Sequence, residues 1–224
     1  GDVDADIYGF VTLNAAMDFG QDIGSSTQAG SFGSLFPENG AEGHFDADAH
    51  QSRLGVKSTH KSGLKVIVEG DFRGGGGGSF RLLQAYGEYD NWLIGRAWSN
   101  YNSWTGWTST LDFDSLAGGP GVQDRVAQVR YTVGNVSYAL EDDYFPNIAN
   151  TTNEKSALPV ATVRYEGSMD GGLSLVAAGL LRQLSVDDGA NVDETAVGIG
   201  AFAGASIDLG DGISVQGNVN FSDG

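Results

Sequence analysis

Arg53, Lys57, Arg73, Arg81, Arg96 and Arg130 each stand in a stretch where apolar and polar residues alternate. In an extended strand, that alternation sends every second side chain to one face. These six then share a face, opposite a row that includes Leu54, Val56, Val66, Val68, Phe72 and Val129. A wall of guanidinium and ammonium groups attracts anions, and Arg grips carboxylate or phosphate through two parallel donors. Glu69, Asp71, Glu141, Asp143 and Glu166 fall on the same face and would pair with some of these bases. An anion-favouring surface is the expectation, with a mixed, weakly selective one as the alternative. A second set lies in the long connection 99–123, which carries Tyr101, Trp104, Asp112 and Asp114. Connections beyond about 12–15 residues usually have a function of their own. Acids on that connection, set opposite a basic wall, would create a transverse field that orients dipolar solutes.

No other grouping promises chemistry. His44, His50 and His60 are scattered, and no Ser-His-acid set can be assembled around them. The chain has no Cys, which removes disulfides and thiolate metal sites. Asp187, Asp188 and Asp193 offer hard oxygens to Ca²⁺ but lack EF-hand spacing, so a solvated acidic loop is the favoured reading. The run Gly74–Gly78 lacks the Lys-Ser/Thr of a phosphate loop and sits between two strands. No catalytic residue, metal or cofactor is therefore expected, and the chain reads as a non-enzyme. The formal net charge of −17 argues against nucleic acid as a partner.

The elements that position these residues are strands. Eleven are expected, at roughly 6–19, 50–60, 63–73, 80–90, 92–98, 124–133, 136–144, 158–167, 172–182, 194–209 and 212–221. Many exceed the five or six residues usual in a soluble sandwich and suit the nine to eleven of a tilted strand crossing a bilayer. Short connections alternate with mostly longer ones, the asymmetry of an outer-membrane barrel. Aromatic residues such as Tyr8, Tyr86, Trp92 and Tyr138 fit interfacial girdles. An arginine or lysine on the lipid face costs about 2–4 kcal/mol at midplane, so the charges fix the register and require a water-filled interior. Eleven is odd, whereas bacterial single-chain barrels usually have an even strand count, and an open edge cannot exist in lipid. The chain thus reads as one all-β domain over residues 1–224, an antiparallel transmembrane barrel that is incomplete at its C-terminus. About 16 strands would make a pore of general-porin size.

Several segments also form a familiar order: Gln51–Ser58, Glu69-Gly70-Asp71-Phe72, Phe80-Arg81-Leu82, Ala85-Tyr86-Gly87-Glu88, Gly95-Arg96-Ala97-Trp98-Ser99, Leu111-Asp112-Phe113 and Gln128-Val129-Arg130-Tyr131. Together they resemble the DcaP-type trimeric porins of Gram-negative outer membranes, chiefly over residues 1–133. The resemblance implies a 16-stranded barrel, a homotrimer in contact with outer-membrane lipid and lipopolysaccharide, and uptake of dicarboxylates and other small anions. It also implies an arginine-rich constriction near Arg53, Arg81, Arg96 and Arg130. Leu83 stands where another basic residue would be expected. The resulting expectation is an outer-membrane diffusion channel for small anionic solutes, its third long connection folded inward. A barrel hydrolase and a non-transporting structural or adhesin barrel are the alternatives.

Overall fold

A computed structural model describes residues 1–20, 22–24, 42–108, 119–122, 124–143, 155 and 157–224. Among the described residues, thirteen strands follow one another: β1 (Val3–Phe10), β2 (Asn14–Asp18), β3 (His44–Asp48), β4 (Arg53–His60), β5 (Lys65–Gly74), β6 (Ser79–Tyr89), β7 (Trp92–Trp98), β8 (Arg125–Val133), β9 (Val136–Glu141), β10 (Val160–Met169), β11 (Leu173–Asp187), β12 (Asp193–Gly210) and β13 (Ile213–Asp223). Eleven of them form one sheet in the order β1-β4-β5-β6-β7-β8-β9-β10-β11-β12-β13, while β2 and β3 pair separately. Every pairing is antiparallel, as tight connections between sequential neighbours require.

The expected first strand divides. Phe10 is the last residue of β1 to pair with β4, opposite Arg53, and the Thr12 N–H then donates to Ser52 Oγ. Asn14–Asp18 pairs instead with His44–Asp48, inside the expected connection 20–49. Alternation continued across the change of partner because a period of two reports the pleat and not the neighbour. β11 and β12 run to 15 and 18 residues. At about 3.3 Å per residue they reach well beyond a hydrocarbon core about 30 Å thick. In the turn after β12, Asp211 and Gly212 have φ of 54° and 77°, the pair of positive values a twisted hairpin needs.

Register resolves the sheet into two rows. One contains Val68, Val129, Leu140, Val163, Ile199 and Phe221, and it is exposed: Leu140 at 55% and Phe221 at 59%. The other contains Glu69, Gln128, Glu141 and Thr162, exposed by only 7%, 5%, 4% and 6%. Such an inversion suits lipid outside and a polar interior within. A one-residue register shift between Glu69 and Gly70 returns Arg81 to the inner row opposite Asp71. Leu83 lies in that irregularity and is buried. β1 and β13 each have one strand partner, so both outer edges of the sheet are unpaired among the described residues.

Candidate functional site

On the first half of the inner row, cross-strand neighbours become ion pairs. Asp71 stands opposite both Arg53 and Arg81. It is 2% exposed and accepts from Arg81 Nε at 2.9 Å and Nη2 at 2.6 Å. Glu69 accepts from Arg53 Nη1 at 3.3 Å and from the Tyr8 hydroxyl at 3.1 Å. Tyr8 and Tyr86 thus belong to the inner row and not to an interfacial girdle. Lys57 sits in the same row beside Asp6 at 3.4 Å. Arg73 follows two residues after Asp71 and donates its backbone N–H to that carboxylate.

Arg96 departs from the expected arrangement. Its ladder partners are Ala85 and Ala127, which alternate with the inner positions Tyr86 and Gln128. Register therefore sets Arg96 in the outer row; Gly95, with φ of 132°, is a local twist that the alternation of residue types does not reveal. Arg130 is in the inner row, between Leu93 and Ala139. No carboxylate of the described residues lies within ion-pair distance of it. Arg125, which the sequence reading missed, starts β8 and is 9% exposed. Its guanidinium lies 3.7 Å over the Trp98 ring, and its Nε has no hydrogen-bond partner. Arg53, Glu69 and Arg81 are within electrostatic reach of it. The sequence signal was its position next to the long connection, since a strand's first residue carries no reliable parity.

The connection after β7 lies against the inner row of the later strands. Tyr101 is 6% exposed and packs on Val176, Ala178 and Phe202, its ring 5.0 Å from that of Phe202. Glu141 accepts the Ser99 hydroxyl at 2.7 Å and the Asn100 N–H at 2.5 Å. Asn100, fully buried, donates to Thr162 Oγ1 and accepts from Ser137 Oγ. Glu166 accepts from Ser103 and Thr105 hydroxyls at 2.6 and 2.9 Å, and Arg164 donates to the Asn102 carbonyl. Trp104 is half exposed and meets Trp98 and Trp107 edge to face at 5.0 and 5.5 Å. Asp112 and Asp114 lie outside the described residues.

Inner-row acids are therefore engaged. Glu69, Asp71, Asp143 and Glu166 each meet an arginine, and Glu141 meets donors of the connection. A cavity of about 270 Å³ remains behind Tyr101, bordered by Glu141, Asp143, Val160 and Arg182. The other polar sets are local. Lys155 Nζ sits between Asp187 at 3.1 Å and Asp193 at 2.7 Å, so an ammonium occupies the place proposed for Ca²⁺. His50 faces Asp48 and His60 faces Ser62, each within two residues of chain. Asp18, Asp22 and Asp46 bring carboxylate oxygens within 4.8 Å of one another, a grouping the sequence reading did not anticipate.

A long-stranded antiparallel sheet with an exposed apolar row, a buried charged row and an inward connection defines an outer-membrane β-barrel. The DcaP outer membrane protein family matches residues 2–223, and the chain belongs to it. Its place is the Gram-negative outer membrane. The outer membrane channel DcaP of Acinetobacter baumannii superposes with a TM-score of 0.82 at 23% identity, over 98% of this chain and 64% of that one. The chain thus spans about two thirds of that channel's length. A loop-deletion form of OmpT, an outer membrane protein of Vibrio cholerae, superposes with a TM-score of 0.54 at 14% identity, over 100% of this chain and 71% of that one. No curated protein sequence matches the chain.

Proposed function

We propose that the chain forms a passive diffusion channel for small hydrophilic solutes, favouring anions such as dicarboxylates, and that it works as a homotrimer without cofactor. The observation that carries this reading is the inverted sheet with Ser99–Trp107 and Gly119–Val122 lodged on its charged inner row. A core of packed side chains would not take up so many ionic groups; a water-filled lumen would. The name of the A. baumannii relative, an outer membrane channel, supports the same reading.

The preference for anions rests on charge balance along the wall. Most inner acids are matched by an arginine or by donors of the connection, whereas Arg130 has no carboxylate of the described residues within 4 Å. The net charge of −17 belongs largely to loops and rims and does not describe the lumen. The connection narrows that lumen, bringing solutes near the wall charges; at physiological salt those charges act over about 8 Å. The outer row meets lipid, and the long-loop rim meets lipopolysaccharide.

Reversal potential across a salt gradient in planar bilayers, measured on a chain that carries further C-terminal strands, tests the proposal. Wild type should pass stepwise currents with anion preference, and Arg130→Ala should reduce that preference. A cation-selective wild type would overturn the basic-wall argument. Absence of steps would overturn the channel.

A further inference from the structure

The alternation Ile213, Val215, Gly217, Val219, Phe221 against Ser214, Gln216, Asn218, Asn220 gives β13 one apolar and one polar row. Among the described residues, no side chain of the polar row forms an ion pair. We propose that its two asparagines are positioning residues that set the aperture of the lumen by gripping the inward connection; this rests on the channel reading above.

The grip is specific in chemistry. Asn218 Nδ2 donates to the Gly106 carbonyl at 2.9 Å. Asn220 Nδ2 donates to the Gly119 carbonyl at 3.2 Å, while Asn220 Oδ1 accepts the Gly121 N–H at 2.8 Å. The two amides are joined by Asn220 Nδ2 to Asn218 Oδ1 at 2.9 Å. One planar amide carries donors and an acceptor together, so a single Asn can hold two groups of one strand-like limb. An ionised Asp, which only accepts, could not offer both. Gly106 belongs to the outgoing limb of the connection and Gly119–Gly121 to the returning limb, so the pair clamps both.

The floor beneath the clamp is shaped for the same contact. A methyl group at Gly204 of β12 would stand 2.7 Å from the Thr105 carbonyl oxygen, and one at Gly200 would stand 2.8 Å from the Tyr101 hydroxyl. At Gly121, with φ of 72°, it would stand 2.1 Å from the Tyr101 carbonyl. On the opposite side, Glu141 and Glu166 take hydroxyl and N–H donors of the outgoing limb. Carboxylates of β9–β10 and amides of β13 thus hold the connection from two sides. Its position depends on residues about a hundred positions later in the chain.

Each hydrogen bond lost shifts the docking equilibrium by a factor of roughly five. An undocked connection leaves a wider lumen, in which more ions pass beyond about one screening length of the wall. The substitution is charge-neutral, so any loss of selectivity reports position and not charge. The experiment uses a chain carrying further C-terminal strands in planar bilayers. Asn218→Ala/Asn220→Ala should raise single-channel conductance, add open-channel noise and move the reversal potential toward zero. Ser214→Ala/Gln216→Ala changes the same row of the same strand without touching the connection, and should match wild type. Gly204→Ala pushes the connection from the floor and should act in the direction of the asparagine pair, deciding the matter if the double variant does not assemble. Wild-type conductance and selectivity in the asparagine pair, or in Gly204→Ala when only that assembles, would overturn the inference, even with lowered thermal stability. A wild type without steps would remove the channel reading and this inference with it.

Discussion

Asp71 shows how a charged side chain can be both wall and scaffold. It is almost fully buried between Arg53 and Arg81, and a fork from Arg81 supplies two of its hydrogen bonds. Cross-strand opposite charges contribute modestly when wet, but a carboxylate left buried without its donor bears a desolvation cost. The Arg81 side chain is 42% exposed, so water can replace part of what it gives. Arg81→Ala should therefore destabilise the folded barrel by about 1–3 kcal/mol, read by urea unfolding in detergent. Adding Asp71→Asn to that variant should restore most of the loss, because the two effects are coupled. Additive losses would show that Asp71 does not depend on Arg81. The same position explains what the alternation could and could not reveal. It set Asp71 and Arg81 on one face correctly, yet the ladder, not the alternation, decides which acid takes which base. Arg96 fails for the related reason that a twist at Gly95 is invisible in residue types.

Elements were legible where a repeat of two runs long, and less so where the chain changes partner. The strands from β4 to β13 fall close to expectation because each has an apolar row to cover and glycine or aspartate at its turns. The β2–β3 hairpin was not foreseen, since five alternating residues look the same on either neighbour. The docking of Ser99–Trp107 was legible only as the length of a connection; its partners lie on strands that follow by forty to a hundred residues or more. The turn between β11 and β12 was read as a solvated acidic loop, and its aspartates turn out to build it. Asp188 Oδ1 accepts the N–H groups of Val192, Ala190 and Asn191, which hold its carboxyl below the ordinary range. Lys155 is raised by its bonds to Asp193 and Asp187. A depressed carboxyl contributes order above the ordinary Asp value of about 3.9 and loses it as pH falls through the lower folded value. A raised lysine contributes below its ordinary value of about 10.4 and loses this as pH rises through the folded one. Protection of the Ala190, Asn191 and Val192 amides, corrected for intrinsic exchange, should hold from about pH 5 to 9 and fall in stronger acid. Asp188→Asn should shift that acid limit; an unchanged profile would exclude Asp188 as its cause.

At the scale of the whole molecule, a sheet with lipid on one side and water on the other has no tolerance for open edges. Along β1 and β13, every second peptide group faces away from the strand partner each of them has. In hydrocarbon, each unsatisfied N–H or C=O costs several kcal/mol, so the two edges together outweigh a domain's usual stability of about 5–15 kcal/mol. The apolar outer row cannot compensate, because it already requires lipid to be covered at all. β1 and β13 must therefore meet other strands, and the A. baumannii channel, of which the chain spans 64%, has the length to supply them. Residues 1–224 expressed alone should aggregate or remain unfolded in detergent and give no stepwise conductance. A chain carrying further C-terminal strands should insert, conduct, and protect the β13 amides from exchange. If residues 1–224 alone inserted and conducted, β1 and β13 would have to pair with each other. The lumen would then be that of an eleven-stranded barrel, narrower than a general porin's.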